Sequence, residues 1–137
     1  MLSSATLDNL GRLVLRLSIG VLLIMHGIAK LFNGVGGIEQ MVIANGLPAF
    51  TAWGVYVGEV IAPIFIILGF YTRLGGLIAA TNMIVAIALA HKAQIFQISG
   101  SGGWAIELQG LFLFGSVAIM LLGAGKYSVA GPGGKWN

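Results

Sequence analysis

Four stretches of this chain, each about 20 residues long, carry so little charge that they read as membrane spans. They run over residues 11–32, 51–70, 74–91 and 103–122. A helix of that length covers the roughly 30 Å of hydrocarbon in a bilayer. In lipid no water is present to bond a loose backbone, so each crossing segment must satisfy its own N–H and C=O groups as helix. The pattern predicts an all-α protein, a four-transmembrane-helix antiparallel bundle embedded in the membrane as one domain over residues 1–137. Composition agrees at the point that matters. Only 8% of residues are charged and 58% are hydrophobic, with a mean hydropathy of +0.98. A water-soluble domain usually carries about a quarter of its residues as charged types.

The punctuation between windows supports the same layout. Asn33-Gly34 closes the first, Gly100 to Gly103 opens the fourth, and Gly123 to Gly125 ends it. Trp53, Tyr71 and Trp104 sit at span ends, where amphipathic rings favour the headgroup layer. Tyr71, Thr72 and Arg73 alone join the second and third spans, which forces a tight hairpin. The longest connection, residues 33–50, repeats apolar Ile38, Met41 and Val42 at helical spacing, so a short helix on the membrane surface is expected there, against the alternative of an irregular loop. The first span is too long for a usual signal-peptide core and is read as retained. Arg12, Arg16, Arg73, Lys126 and Lys135 fall on one face, and Lys30 and Lys92 on the other. The excess of positive charge places the first face, with both termini, in the cytoplasm. Gly20, Gly27 and Ala29 in the first span, and Gly75, Gly76, Ala79 and Ala80 in the third, are the small residues that let helices pack closely in lipid. Pro63 is expected to kink the second span and free a carbonyl near Glu59.

Several functions are excluded. The net charge of +3 comes from seven scattered basic residues against four acids, without the basic patch that nucleic acid requires. No cysteine is present, which removes disulfides, thiolate metal sites and dithiol relays. No haem attachment motif, phosphate-binding loop, dinucleotide fingerprint or nucleophile elbow appears. No metal site is expected: the histidines and carboxylates come from different helices without a ligand pair at i, i+3 or i, i+4.

The informative residues are the ionisable ones inside the spans, because a charge near the bilayer centre costs at least about 2.5 kcal/mol and so faces a partner or water. At 100° per residue, Arg12, Arg16, His26 and Lys30 fall on one helical stripe about 80° wide. That stripe must look into the bundle or snorkel at its ends. His26 lies about 9 Å inside the outer end of the first span, and Glu59 about 12 Å inside that of the second. Glu107 lies about one turn into the fourth span and His91 ends the third. His26, Lys30, Glu59, His91 and Glu107 therefore share one leaflet and form a candidate ligand-binding cluster, with Asn82 and Gln109 behind them. Each has a structural alternative. Glu59 could only neutralise Lys30, His26 could bond a backbone carbonyl, and Lys30 could snorkel. His91 could be a plain loop residue, and Glu107 could simply favour its helix N-terminus. Arg16 and Arg73, which lack acidic partners other than Asp8, form a candidate cytoplasmic-face contact with lipid phosphate or another protein.

The chain resembles the DoxX family of small bacterial and archaeal four-helix membrane proteins. The resemblance spans about Arg12 to Ser128. It rests on RLSIGVLLIMHGIAKLF (Arg16 to Phe32), on NGLP (Asn45 to Pro48), and on VGEVIAPIFIILGFYTRLGGL with its Gly69 to Arg73 run. His91 and the closing GAGKYSV complete it. Relatives often close with Gly-Pro-Gly and then Ser-Leu-Asp, whereas this chain has Gly123-Ala124-Gly125 and then Ser128-Val129-Ala130 without the acid. The resemblance implies a bacterial or archaeal cytoplasmic membrane and marks Lys30, Glu59, Arg73 and His91. It also implies a redox-linked or oxidative-stress setting, including subunits of quinone-reducing oxidoreductases. Three roles follow: a redox-associated subunit that binds a quinone or another apolar ligand, a non-catalytic assembly subunit of a membrane complex, and a small transporter. A homo-oligomer, or a complex with another membrane or redox protein, fits each of them. No covalent cofactor is expected, and with no cysteine, flavin or haem signature, ligand binding or partner support is favoured over autonomous redox catalysis.

Overall fold

A computed structural model describes residues 1–137, and all its regular elements are helical apart from one isolated bridge between Ile98 and Trp104. The main helices are α1 (Ser4–Asn33), α2 (Gly36–Ala44), α3 (Ala49–Leu68), α4 (Thr72–Ala90) and α5 (Glu107–Leu122). Three of them, α1, α3 and α4, are long and apolar enough to cross a membrane, while α5 is a shorter apolar helix of 16 residues. The fourth window thus begins as helix at Glu107, not at residue 103. The Ser99 amide donates to Gly103 and the Ala105 amide to Gln97, which holds the segment before α5 as a turn that hydropathy does not reveal.

α1 starts at Ser3, whose hydroxyl accepts from the Thr6 amide at 3.2 Å. It stops at Gly34, whose positive φ of 77° ends the helix while its amide donates to Lys30. α3 is composite. A 3₁₀ stretch over Ala49–Trp53 passes into a wide π turn over Val57–Ile61, then into α-helix over Ala62–Leu68. Pro63 brings no N–H for the carbonyl of Glu59 four residues earlier, and the widened turn sits at that point. α3 and α4 are joined through Gly69, in the left-handed region at φ 72°, and Tyr71, the one non-glycine with positive φ. Phe70 packs edge-on to both Phe65 and Tyr71 around that strained turn, with Phe70 and Tyr71 centroids 4.6 Å apart. The expected short helix in residues 33–50 is α2. Its Val42 packs with Val35 and Ala52, next to Ile38, Tyr56 and Leu89, and Glu39 accepts from the Trp53 indole at 3.3 Å.

Leu23 of α1, Ala62 and Ile66 of α3, Ala79 and Met83 of α4, and Phe112 and Ile119 of α5 form one core. Only 28 of 137 residues are buried, while Val14, Met25, Ile28, Leu111, Phe114 and Leu121 among many others stand exposed. So large a continuous apolar exterior is untenable in water and suits acyl chains. Of the small residues singled out in the spans, Gly20, Gly27, Gly75, Gly76, Ala79 and Ala80 are buried, whereas Ala29 is exposed. Gly76 marks the closest seam between α4 and α5: a Cβ there would stand 2.7 Å from the Ser116 carbonyl oxygen and 2.8 Å from the Met120 nitrogen. Both neighbours are backbone and cannot swing aside. Gly76→Ala should therefore cost about 1–3 kcal/mol by forcing the helices apart, read as a lower melting temperature in detergent. Gly36→Ala, with open space around it, serves as the control.

Arginines close the end of the bundle that holds both chain termini. The last carbonyls of a helix have no partner within it. At the end of α3, Phe65 accepts from the Gly69 and Phe70 amides and Leu68 from the Val129 amide, while Ile66 and Ile67 accept from Arg16. At the end of α5, Ile119 accepts from Gly123, Met120 and Leu121 from Arg73, and Leu122 from Arg12. The start of α4 is closed in turn by the C-terminal residues. The Asn137 side-chain oxygen accepts from the Thr72 hydroxyl at 3.0 Å, and the Trp136 carbonyl accepts from the Arg73 and Leu74 amides.

The expected role of Arg16 and Arg73 as a contact with lipid phosphate or a partner is corrected here. Arg16 is only 1% exposed, and its guanidinium donates to the carbonyls of Ile66, Ile67, Ala124 and Tyr127 at 2.8–2.9 Å. Arg73 is half-buried and turned inward to the carbonyls of Met120, Leu121 and Asn137. Both charges are spent on helix ends, where the dipole also favours a cation.

Candidate functional site

At the opposite end the helices diverge around a cavity of about 790 Å³. Its walls come from the last turns of α1, the first half of α3, the second half of α4 and the first turns of α5, with Ile38, Met41 and Val42 of α2 across one end. Most of the lining is aliphatic. The polar side chains that enter it include His26, Lys30, Glu59, Asn82, His91 and Gln109. A large apolar cavity with a few polar anchors is the usual build of a site for a small organic ligand.

The Lys30 ammonium and the Glu59 carboxylate form a direct ion pair. Glu59 is 5% exposed, and its second oxygen faces the Asn82 amide, 3.4 Å away. Three local features set this pair. The π turn at Val57–Ile61 carries Glu59 on its widened face. Gly58 makes room for Asn82, since a Cβ there would overlap that side chain. Gly27 lets α1 lie against the Glu59 main chain, where a Cβ would overlap the Glu59 carbonyl oxygen. The Tyr56 hydroxyl then donates to the Lys30 carbonyl at 3.1 Å, fixing the end of α1 over α3.

His91 caps the end of α4. Its Nδ1 donates to the Gln94 side-chain oxygen at 2.7 Å, which leaves Nε2 to accept from the Gln109 amide at 3.2 Å. These two contacts hold the ring at the rim of the cavity. His26 differs: its ring stands edge-on to Phe112 with centroids 5.6 Å apart, and it is largely exposed. No side-chain hydrogen bond in the structure uses its nitrogens.

The structure therefore brings Lys30, Glu59 and Asn82 together, joins His91 to Gln109, and sets both groups with His26 around one space. It does not bring Glu107 in. That carboxylate is exposed in the first turn of α5, close to Gly103 and outside the cavity lining. Its geometry matches the alternative of an acid that favours the positive end of its helix. No three histidine, aspartate or glutamate side chains gather around one point. Sequence reasoning missed Tyr56 and the Glu39–Trp53 tie. Tyr56 carried a signal, since it lies three residues before Glu59 on the same helix. Glu39 carried none, because nothing local relates it to Trp53.

Apolar helices around a mostly aliphatic internal cavity define a multi-pass membrane protein. The chain belongs to the DoxX family, whose model matches residues 11–92. It is similar to the Bacillus subtilis (strain 168) protein named "Putative oxidoreductase CatD", with 35% identity over 116 residues, covering 85% of this chain and 81% of that one. No solved structure matches it significantly.

Proposed function

We propose that this protein is a redox-associated membrane subunit that holds a quinone or a similar apolar, carbonyl-bearing molecule in the cavity. It sits in the cytoplasmic membrane with four spans, α5 serving as the shortest, and with both termini in the cytoplasm. One observation carries this reading: an ion pair at Lys30 and Glu59 is set into the wall of a mostly apolar space of about 790 Å³. Holding two charges there is costly unless they do something besides pack. Lys30 and His26 offer donors to a carbonyl, and Glu59 offers a site for proton exchange. The aliphatic lining fits a ring and its tail. The oxidoreductase name of the Bacillus relative supports a redox setting. Since the chain has no cysteine, electrons for any quinone reduction would come from a bound cofactor or a partner reductase.

The test is a titration of the purified protein in detergent with decylubiquinone. Wild type should bind saturably. Glu59→Gln, which keeps the size and removes the charge, should weaken binding by at least about tenfold, or 1.4 kcal/mol. Negligible binding in both proteins would remove the proposal.

The assembly-subunit reading loses Arg16 and Arg73 as contact residues. It keeps one favourable observation: Phe96 and Ile98 are 98% and 76% exposed in the loop before α5. Gentle extraction and mass spectrometry, comparing wild type with Phe96→Ser, tests it. A co-purifying membrane protein lost from the variant would support it, and an identical profile would not.

A further inference from the structure

We infer that the cavity is loaded sideways from the bilayer, through the seam between α1 and α5, and that its ligand is therefore a lipid-dissolved molecule with a hydrogen-bonding head rather than a solute arriving from water. This rests on the reading that the cavity holds a ligand.

A second, smaller cavity of about 250 Å³ lies on the other side of His26. It shares His26, Leu108 and Phe112 with the large one, so these three side chains are the partition between them. Its remaining walls are Leu22, Met25 and Ala29, which lie on the exposed apolar face of α1. The small cavity is thus a groove that opens toward acyl chains and ends on the wall of the internal space.

The other seams are shut at backbone level or by bonded side chains. Gly27 presses α1 onto the backbone of α3, Gly75 presses α4 onto the Ala62 carbonyl of α3, and Gly58 meets Asn82, which bonds Glu59. Gly76 seals α4 against the backbone of α5, and His91 bonds Gln109 across the same seam nearer the cavity mouth. Between α1 and α5 the tight point is Gly115, where a Cβ would stand 2.8 Å from Ile19 Cγ1. That contact lies toward the end holding the termini. Toward the cavity, the residues shared by the two spaces at this seam are the side chains of His26, Leu108 and Phe112. The route from the aqueous side is roofed by the apolar residues of α2, which Glu39 ties to Trp53 of α3.

His26 explains the choice of ligand. A ring that faces lipid without a hydrogen-bond partner is expensive, yet here it stands at the threshold, perpendicular to the Phe112 ring. A carbonyl or hydroxyl on an entering molecule would bond that ring before reaching Lys30 and Glu59. A head group is thereby handed from one polar contact to the next while its tail stays among aliphatic side chains.

The experiment uses the full-length protein in liposomes with decylubiquinone as the probe, followed by stopped-flow quenching of tryptophan fluorescence, since Trp53 lies between two cavity-lining residues, Ala52 and Gly54. Ala29→Phe fills the groove from a lipid-facing position that does not line the large cavity. It should slow association and dissociation together, by about tenfold, and leave Kd within about twofold of wild type. Leu22→Trp should act in the same direction. Ile28→Phe, on the same exposed face but outside the groove, should change nothing. Unaltered rates in both groove variants would overturn lateral entry in favour of a route under α2. A raised Kd at unchanged association rate would also overturn it, because the groove would then be part of the binding site. If wild type itself shows no saturable quenching, the ligand-holding reading fails first and this inference falls with it.

Discussion

Arg16→Ala should destabilise the protein by on the order of 4 kcal/mol, enough to lower its melting temperature in detergent by roughly 10 °C. The guanidinium is 1% exposed and donates to four carbonyls on two segments, the last turn of α3 and the chain after α5. Truncation leaves those oxygens without donors in a region that water reaches poorly, and an unmade bond there costs more than a made one contributes. It also opens a void the size of the side chain. Arg16→Lys should recover less than half of the loss: an ammonium has three donors at one point, whereas the planar guanidinium spreads its donors over a fork that reaches carbonyls on both sides. Arg73→Ala, where the side chain is half-buried and serves three carbonyls, should cost less than Arg16→Ala. Circular dichroism melts of the three variants, with size-exclusion profiles to confirm folding, give the ranking. Arginine and lysine variants of equal stability at position 16 would show that charge alone, not the fork, holds these ends.

The helical character of this chain was legible because lipid leaves the backbone so few options. Apolar windows placed α3 and α4 within two residues of their ends, and the repeat of Ile38, Met41 and Val42 located α2. The start of α5 was not legible. The Ile98–Trp104 bridge and the turn around it depend on pairings that a hydropathy window averages away. At the site, the stripe of Arg12, Arg16, His26 and Lys30 was readable from helical geometry: Arg12, Arg16 and Lys30 bond groups on other helices, and His26 borders the cavity from a largely exposed position. Which partner each would meet was not. The carbonyls that Arg16 and Arg73 satisfy belong to helix ends far away in sequence, and main-chain acceptors leave no mark in residue identity. For that reason two cations without nearby acids looked like a surface contact. Glu107 misled for the opposite reason: sharing a level with Glu59 says nothing about whether a side chain points inward.

Removing either half of the Lys30–Glu59 pair should be costly, removing both much less so, and the two halves should be unequal. Lys30→Met strands a carboxylate that is 5% exposed and holds only the long contact with Asn82. A buried charge stripped of its partner costs about 3–5 kcal/mol. Glu59→Gln strands an ammonium whose side chain is already 28% exposed. That flexible stem can move its charge toward the membrane surface, so the loss should be nearer about 1–2 kcal/mol. The double variant Lys30→Met with Glu59→Gln removes both charges together, and its stability should return to within about 1 kcal/mol of wild type, giving a large favourable coupling in the cycle. Melts of the four proteins supply the stability arm, and the decylubiquinone titration supplies the other. If the pair exists for the ligand, the double variant should fold well and bind poorly. A double variant that is stable and binds like wild type would assign both charges to packing and leave the cavity without its anchor.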